Sequence, residues 1–278
     1  MANYLRTCAG GVFNSGTSNC PFDPGHIKAL ILVEHGQKLP ATIDANALQV
    51  ACHADRPARI YPLKEVVEFA PEGGEVQTSE NGYGGSKITG YSAYSPTFTM
   101  ADADLNLRKQ IVTAKAASFD AYFVDDNNVI YGQKAGNGDF MGVALNGIGA
   151  GGQLFDSSGD SAQLTAQLFV RDYENWIRNI MIQQLDFDVV SSLTGLVFVH
   201  FESVTGGYKL VSDADNLDLT SYYGQLLADN STTAMPDATA VSYNAATNIL
   251  TITGTAQLAA PSVLQGVGIL GIEQNVAV

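Results

Sequence analysis

The segment SAQLTAQLF, residues 161 to 169, puts Ala162, Leu164, Ala166 and Leu168 on one side of an extended chain. Ser161, Gln163, Thr165 and Gln167 fall on the other. A period of two marks a half-buried strand, because successive Cβ atoms of a strand point to opposite faces. The same grammar recurs along the chain, in short apolar or alternating runs separated by Gly, Asn, Asp and Pro. These are the residues that tolerate left-handed backbone angles or fix φ in tight turns. HIKALILVEHG (26–36) reads as a strand with a buried centre. FDAYFVDDNNVIYGQ (119–133), LVFVHFESVTGGYKLVSD (196–213) and DATAVSYNAATNILTITGT (237–255) each read as a hairpin. This pattern predicts a mainly β fold, a sandwich or barrel of antiparallel strands.

Helical spacing stands out near 100–117, predicting one flanking α-helix. Thr99 followed by Asp102 resembles a capping box, and Leu105, Leu107, Ile111, Val112 and Ala114 fit one helix of about four turns. A shorter helix is expected within 42–56, capped by Thr42 or Asp44. Residues 171–195 fit a helix or a strand. KITGYSAYSPTFT (87–99) reads as one strand, and the tail 262–278 as another. The expected organisation is an extended N-terminal arm over 1–25, a β-rich domain over 26–229, and a C-terminal hairpin with further strands over 230–278. Residues 230–236 look like a linker into that last part, which would be an appended domain or more strands of the same sandwich.

Charge narrows the function classes. The chain carries 14 basic and 28 acidic residues, a net charge of −14, unevenly spread. Residues 1–100 are nearly balanced, with seven basic and nine acidic side chains. After Arg178 the sole basic residue is Lys209, against nine acidic ones. Binding nucleic acid by neutralising phosphates needs clustered Lys and Arg, so this balance argues against it, and against an anionic membrane surface. Cys8, Cys20 and Cys52, an odd count all in the first fifth of the chain, do not read as a disulfide framework. The first residues lack the apolar core of a signal peptide, and no apolar run reaches membrane-spanning length. A soluble protein made in a cytoplasm is expected.

Motifs for chemistry fail on spacing. An EF-hand loop starting at Asp125 would need glycine at its sixth position and glutamate at its twelfth, where Ile130 and Gly136 stand. The acidic stretches Asp156 to Asp160 and Asp213 to Asp218 fail likewise. Cys8, Cys20, His26, Cys52 and His53 are ligand types for zinc, but no closely spaced cysteine pair exists. Cys52 and His53 are neighbours in sequence without an orienting partner, and His200 sits within an apolar strand. Asp186 and Asp188 would share a strand face but lack a cleft. GAGGQ (149–153) lacks the lysine of a phosphate loop. The expectation is therefore no enzyme, no cofactor and no metal. The candidate contact residues are Asp125, Asp126, Asn127 and Asn128, expected at a projecting hairpin tip that meets a neighbouring subunit or solvent.

Two stretches carry a resemblance. CPFDPGHIKALILVEHGQKLP (20–40) and ENGYGGSKITGYSAYSPTFTMADADLNLRK together with FDAYFVDDNNVIYGQ, within 80–133, are similar to virion structural proteins of tailed phages, especially those infecting Bacteroidota. Within that set the chain most resembles major tail tube proteins. The resemblance implies curved β-sheets flanked by a helix, joined across subunits into stacked rings around a channel. It implies a homo-oligomer in the virion tail, assembled with other virion proteins, through which DNA passes without specific binding. The alternatives are a capsid decoration, head-fibre or head–tail connector protein, and a carbohydrate- or receptor-binding module suggested by twelve tyrosines and Trp176.

Overall fold

The structure, a computed structural model, describes residues 4–7, 24–80, 82–101, 104–115, 117–159 and 161–274. The fold is mainly β, as expected. The chain divides into two units: residues 1–48 with 60–193, and residues 49–59 with 194–278. This boundary differs from the expected one at 229/230, because residues 194–229 supply strands and a helix to the second unit. Most of the expected arm, with Cys8 and Cys20, lies outside the described residues.

In the first unit the strands are β1 (Tyr4–Thr7), β2 (Ile27–Glu34), β3 (Ile60–Leu63), β4 (Val66–Ala70), β5 (Val76–Glu80), β6 (Ser86–Tyr91), β7 (Thr97–Met100), β8 (Phe119–Asp125), β9 (Val129–Lys134), β10 (Phe140–Met141), β11 (Val143–Gly151), β12 (Leu164–Val170) and β13 (Ile180–Gln184). Eleven of them form one antiparallel sheet, ordered β1-β13-β9-β8-β11-β12-β7-β4. In it β2 joins β8, β3 joins β2, and β10 joins β9. Among the described residues β5 and β6 pair only with each other. Ala29 to Val33 of β2 and all of β8 are buried, so these stretches are covered on both faces; in β8 the apolar run 121–124 is flanked by Asp120 and Asp125. β12 shows the predicted alternation, with Leu164, Ala166, Leu168 and Val170 buried. These residues join Leu30, Phe98, Phe123 and Leu145 in the core.

KITGYSAYSPTFT is not one strand. Its two ends, β6 and β7, belong to different sheets, and Pro96 immediately precedes β7. A proline has no N–H to donate to a ladder, so regular pairing starts only after it.

Seven α-helices lie among the described residues where one was stressed by the sequence. In the first unit, α1 (Ala45–Cys52) starts at Asp44, whose carboxylate accepts from Ala47 N at 2.8 Å. The division between the units falls within α1. The predicted flanking helix is α2 (Leu105–Thr113), but its cap is Asp104, which accepts from the backbone N–H groups of Asn106 and Leu107. Thr99 lies in β7, and Asp102 is outside the described residues. Only Ile111 is fully buried, with Leu107 and Ala114 packed beside it; Leu105 and Val112 face solvent. α3 (Tyr173–Arg178), capped by Asp172, precedes β13, so the ambiguous stretch holds both a helix and a strand. α4 (Val189–Ser192) begins at Asp188.

The second unit is a five-stranded sheet, ordered β16-β17-β15-β14-β18. Its strands are β14 (Val197–Val204), β15 (Gly207–Ser212), β16 (Ala238–Asn244), β17 (Ile249–Gly254) and β18 (Ile272–Gln274). All pairs are antiparallel except β14 with β18. α5 (Thr220–Asp229), α6 (Ser231–Ala234) and α7 (Pro261–Gly266) contribute Leu227, Ala234 and Leu264 to a core with Val199, Leu210, Leu250 and Ile272. The expected linker 230–236 is thus α6 followed by fully buried Met235, and the tail is α7 before β18. Residues 49–59 are tied to this unit by polar contacts. Gly271 N donates to His53 Nε2 at 2.9 Å, Ser262 Oγ donates to the Asp55 carboxylate, and Arg59 grips Glu273 at 2.7 and 3.2 Å.

Candidate assembly surface

The turn between β8 and β9 does not present four projecting side chains. Asp125 points inward and is wholly buried, which corrects the expectation that it lies at an exposed tip. One of its oxygens accepts from Asn127 N and Val129 N, each at 2.9 Å. The other accepts from Gly25 N at 3.0 Å and Tyr131 Oη at 2.6 Å. A buried carboxylate is tolerated where donors replace its hydration, and here four do. Burial, and then the hydrogen bond to Asp125, pushes the Tyr131 phenol above its ordinary range.

Asp126 is part exposed and binds the preceding segment. His26 N donates to one oxygen at 2.9 Å, and His26 Nδ1 lies 3.2 Å from the other. Desolvation pushes the Asp126 carboxyl up, but the His26 contacts outweigh it and hold the group below the usual carboxylate range. Asn127 reaches solvent. Asn128 takes the left-handed angle that closes the turn (φ 60°), and its side chain accepts from Val189 N at 3.1 Å. The sequence signal for this turn was sound, but which acid turned inward depended on Gly25 and Tyr131 arriving from elsewhere.

An open depression of about 430 Å³ adjoins the turn, lined by Lys28, Glu65, Asp126, Asn128 and Asp188. Two of its acids already have work: Asp126 holds His26, and Asp188 caps α4 by accepting from Ser191 N. Among the described residues no group of three or more His, Cys, Asp and Glu side chains could hold a metal ion.

Other candidate groups also have structural partners. His53 is buried, with Nδ1 at 2.7 Å from Gln49 O and Nε2 accepting from Gly271 N. His200 Nδ1 lies 2.5 Å from Asp213. A further pair was not legible in the sequence: His35 Nδ1 lies 2.7 Å from buried Asp120 while Nε2 faces Arg171 at 3.3 Å. With both ring nitrogens engaged, His35 is not set to serve a nucleophile.

The feature that sequence reasoning missed is the β5–β6 ribbon. Its stem is fixed. Gly73 bridges Tyr94, Ser92 N donates to Glu75 O at 2.8 Å, and Ser95 N donates to Glu72 O at 2.8 Å. The stem glycines Gly73 and Gly74 have positive φ, and a Cβ on Gly73 would lie 1.8 Å from Ala93 O. Tyr173 of α3 stacks on Tyr94, centroids 4.7 Å apart, and meets Tyr91 edge-on at 5.9 Å. Beyond the stem every residue of β5 is exposed, as are all of β6 but Gly90. The register puts Val76 opposite Tyr91 and Thr78 opposite Ile88, so these four share a face. Val76 is 52% exposed, Ile88 65%, and Tyr83 at the turn is fully open. A two-stranded hairpin is marginal in water by itself. A firmly anchored one with an apolar face is built to meet something.

No protein-family model, curated protein or solved structure matches this chain.

Proposed function

We propose that this chain is a structural subunit of a tailed-phage virion, not an enzyme, and that it self-assembles into the stacked rings of a tail tube. The β5–β6 ribbon carries this reading. It is an arm with a fixed stem on which Val76 and Ile88 stay exposed among the described residues, as a ring component needs for reaching its neighbour. The sequence resemblance to tail tube proteins points the same way. Net charge of −14 suits a pipe that passes DNA without holding it, since fixed negative charge repels phosphates while Lys and Arg would trap them. The partners are further copies and other virion proteins, in a tail assembled in the host cytoplasm.

Electron microscopy of the purified full chain tests this. Hollow tubes or rings of uniform width are expected, and Val76→Thr with Ile88→Thr should abolish them while circular dichroism stays unchanged. A wild-type protein that stays dispersed at all salt concentrations overturns the reading. Binding to capsids alone favours a decoration role, and specific glycan capture by a soluble monomer favours a recognition module.

A further inference from the structure

Helix α2 carries apolar residues on two sides. Leu107, Ile111 and Ala114 pack on the core of the first unit. At 100° per residue Leu105, Lys109 and Val112 stand on the opposite side, and all three are exposed. The loop between β11 and β12 enlarges this surface. Arg108 fastens the neck of the loop to the helix, donating to Gly152 O at 3.1 Å and to Gln163 O at 2.6 Å. Just beyond the neck Leu154 and Phe155 are exposed, Phe155 by 72%. Single exposed apolar side chains are ordinary, but four on two elements tied together make a patch.

The patch and the β5–β6 ribbon sit at opposite ends of the same strands. Ala70 of β4 and Gln167 of β12 pair with Thr97 of β7, while Val66 and Leu164 pair with Met100. The ribbon with its stem, residues 71–96, leaves the sheet at the Thr97 end. α2 and the β11–β12 loop leave it at the Met100 end. The two surfaces also differ in charge. α2 holds Arg108 and Lys109 and no acid, whereas residues 72–91 hold Glu72, Glu75 and Glu80 against Lys87. Strand alternation from Val76 and Thr78 puts Glu80 on the ribbon's apolar face, and Lys87, opposite Ser79, on the other.

We propose that the outward face of α2 with the adjoining loop is the acceptor for the β5–β6 ribbon of a second copy, with Val76 and Ile88 against Leu105 and Val112, and Glu80 against Lys109. The inference rests on the reading of the ribbon as an assembly arm and names the surface it reaches. Charge selects this pairing over the self-complementary ones. Two ribbons face to face would set Glu80 against Glu80, and two helices Lys109 against Lys109, whereas ribbon on helix joins opposite charges. Position selects it too. With donor and acceptor at opposite ends of β7, each copy gives its ribbon at one end and receives another at the other. Such a head-to-tail contact closes into a ring or extends as a filament.

Two variants of the full chain test this by sedimentation. Val76→Thr with Ile88→Thr disables the donor and keeps the acceptor; Leu105→Gln with Val112→Gln disables the acceptor and keeps the donor. Each alone should be a monomer with unchanged circular dichroism. An equimolar mixture should give a 1:1 complex that grows no further, because each copy then has one working surface. Glu80→Lys in the donor chain should weaken that complex about tenfold or more, and adding Lys109→Glu in the acceptor chain should restore it. A mixture that stays monomeric overturns the proposal. So does a variant that associates alone as strongly as the mixture, or a complex indifferent to Glu80→Lys. Hollow tubes from wild-type chains whose variants do not pair would remove this contact and leave the tail tube reading standing. A 1:1 complex from variants of a chain that forms neither rings nor tubes would keep the contact and remove that reading.

Discussion

Replacing Asp125 by alanine should be among the most damaging single changes available in the first unit. The carboxylate is wholly buried and accepts four hydrogen bonds, from Gly25 N, Asn127 N, Val129 N and Tyr131 Oη. Donors on the turn's outer side regain water when the acceptor goes. The Val129 amide and the Tyr131 hydroxyl lie in buried surroundings and do not. Each orphaned buried donor costs about 1–3 kcal/mol, so the total is roughly 3–5 kcal/mol. That is a large part of a typical stability of about 5–15 kcal/mol. Asp125→Asn keeps one acceptor oxygen and the shape of the turn, and should cost about half as much. Tyr131→Phe removes a single donor together with its bond and should cost about 1 kcal/mol. Trp176 is the sole tryptophan and stacks on Phe123 at 5.3 Å, so its fluorescence reports this unit alone. With a urea slope of about 2 kcal/mol/M, Asp125→Ala should lower the fluorescence midpoint by roughly 1.5–2.5 M. A shift below about 0.5 M, or one no larger than that of Tyr131→Phe, would refute the view that this carboxylate organises the turn.

Three further outcomes are expected. Gly25→Ala would put a Cβ 2.0 Å from Asp126 Oδ1, and should destabilise the first unit by about 1–3 kcal/mol, whereas Gly136→Ala meets open space and should be near neutral in the same urea titration. In the second unit, desolvation pushes the Asp218 carboxyl up, but bonds from Lys209 and Thr220 outweigh it and hold it below the usual carboxylate range. A depressed folded pKa means its stabilisation is full above the unfolded value of about 3.9 and is lost as pH falls through the folded one. Asp218→Asn should therefore flatten the acid limb of stability followed by the Leu210 methyl signals, and an unchanged limb would refute the assignment. Arg59→Ala leaves the half-buried Glu273 without its two-bond partner and should cost the second unit about 1–2 kcal/mol, measured by denaturation followed at the same signals.

Local rules carried the strands whose environment their own residues announce. The alternation of 164–170 and the hairpins at 119–134, 197–212 and 238–254 needed only side-chain period and turn-forming residues, and they formed where expected. The helix at 105–113 was legible as a helix, but not its buried face. Leu105 and Val112 face solvent because, at 100° per residue, they lie on the opposite side of the helix from Leu107, Ile111 and Ala114, which pack on the core.

What sequence could not supply was contact between distant segments. Asp125 looked like a solvent-facing turn residue until Gly25, a hundred positions earlier, and Tyr131 brought donors to it. Residues 230–236 looked like a linker because Ser, Thr and Pro dominate, but Met235 found the core of the second unit. Residues 49–59 joined that unit through partners more than two hundred positions away. By itself the sequence determined a mainly β chain with strong negative charge, since strand periodicity and net charge are sums over neighbouring or independent residues. Tertiary structure decided which acids are buried, where the units divide, and that β5–β6 forms a ribbon apart from the eleven-stranded sheet. Those outcomes depend on which distant donors, rings and strand edges meet.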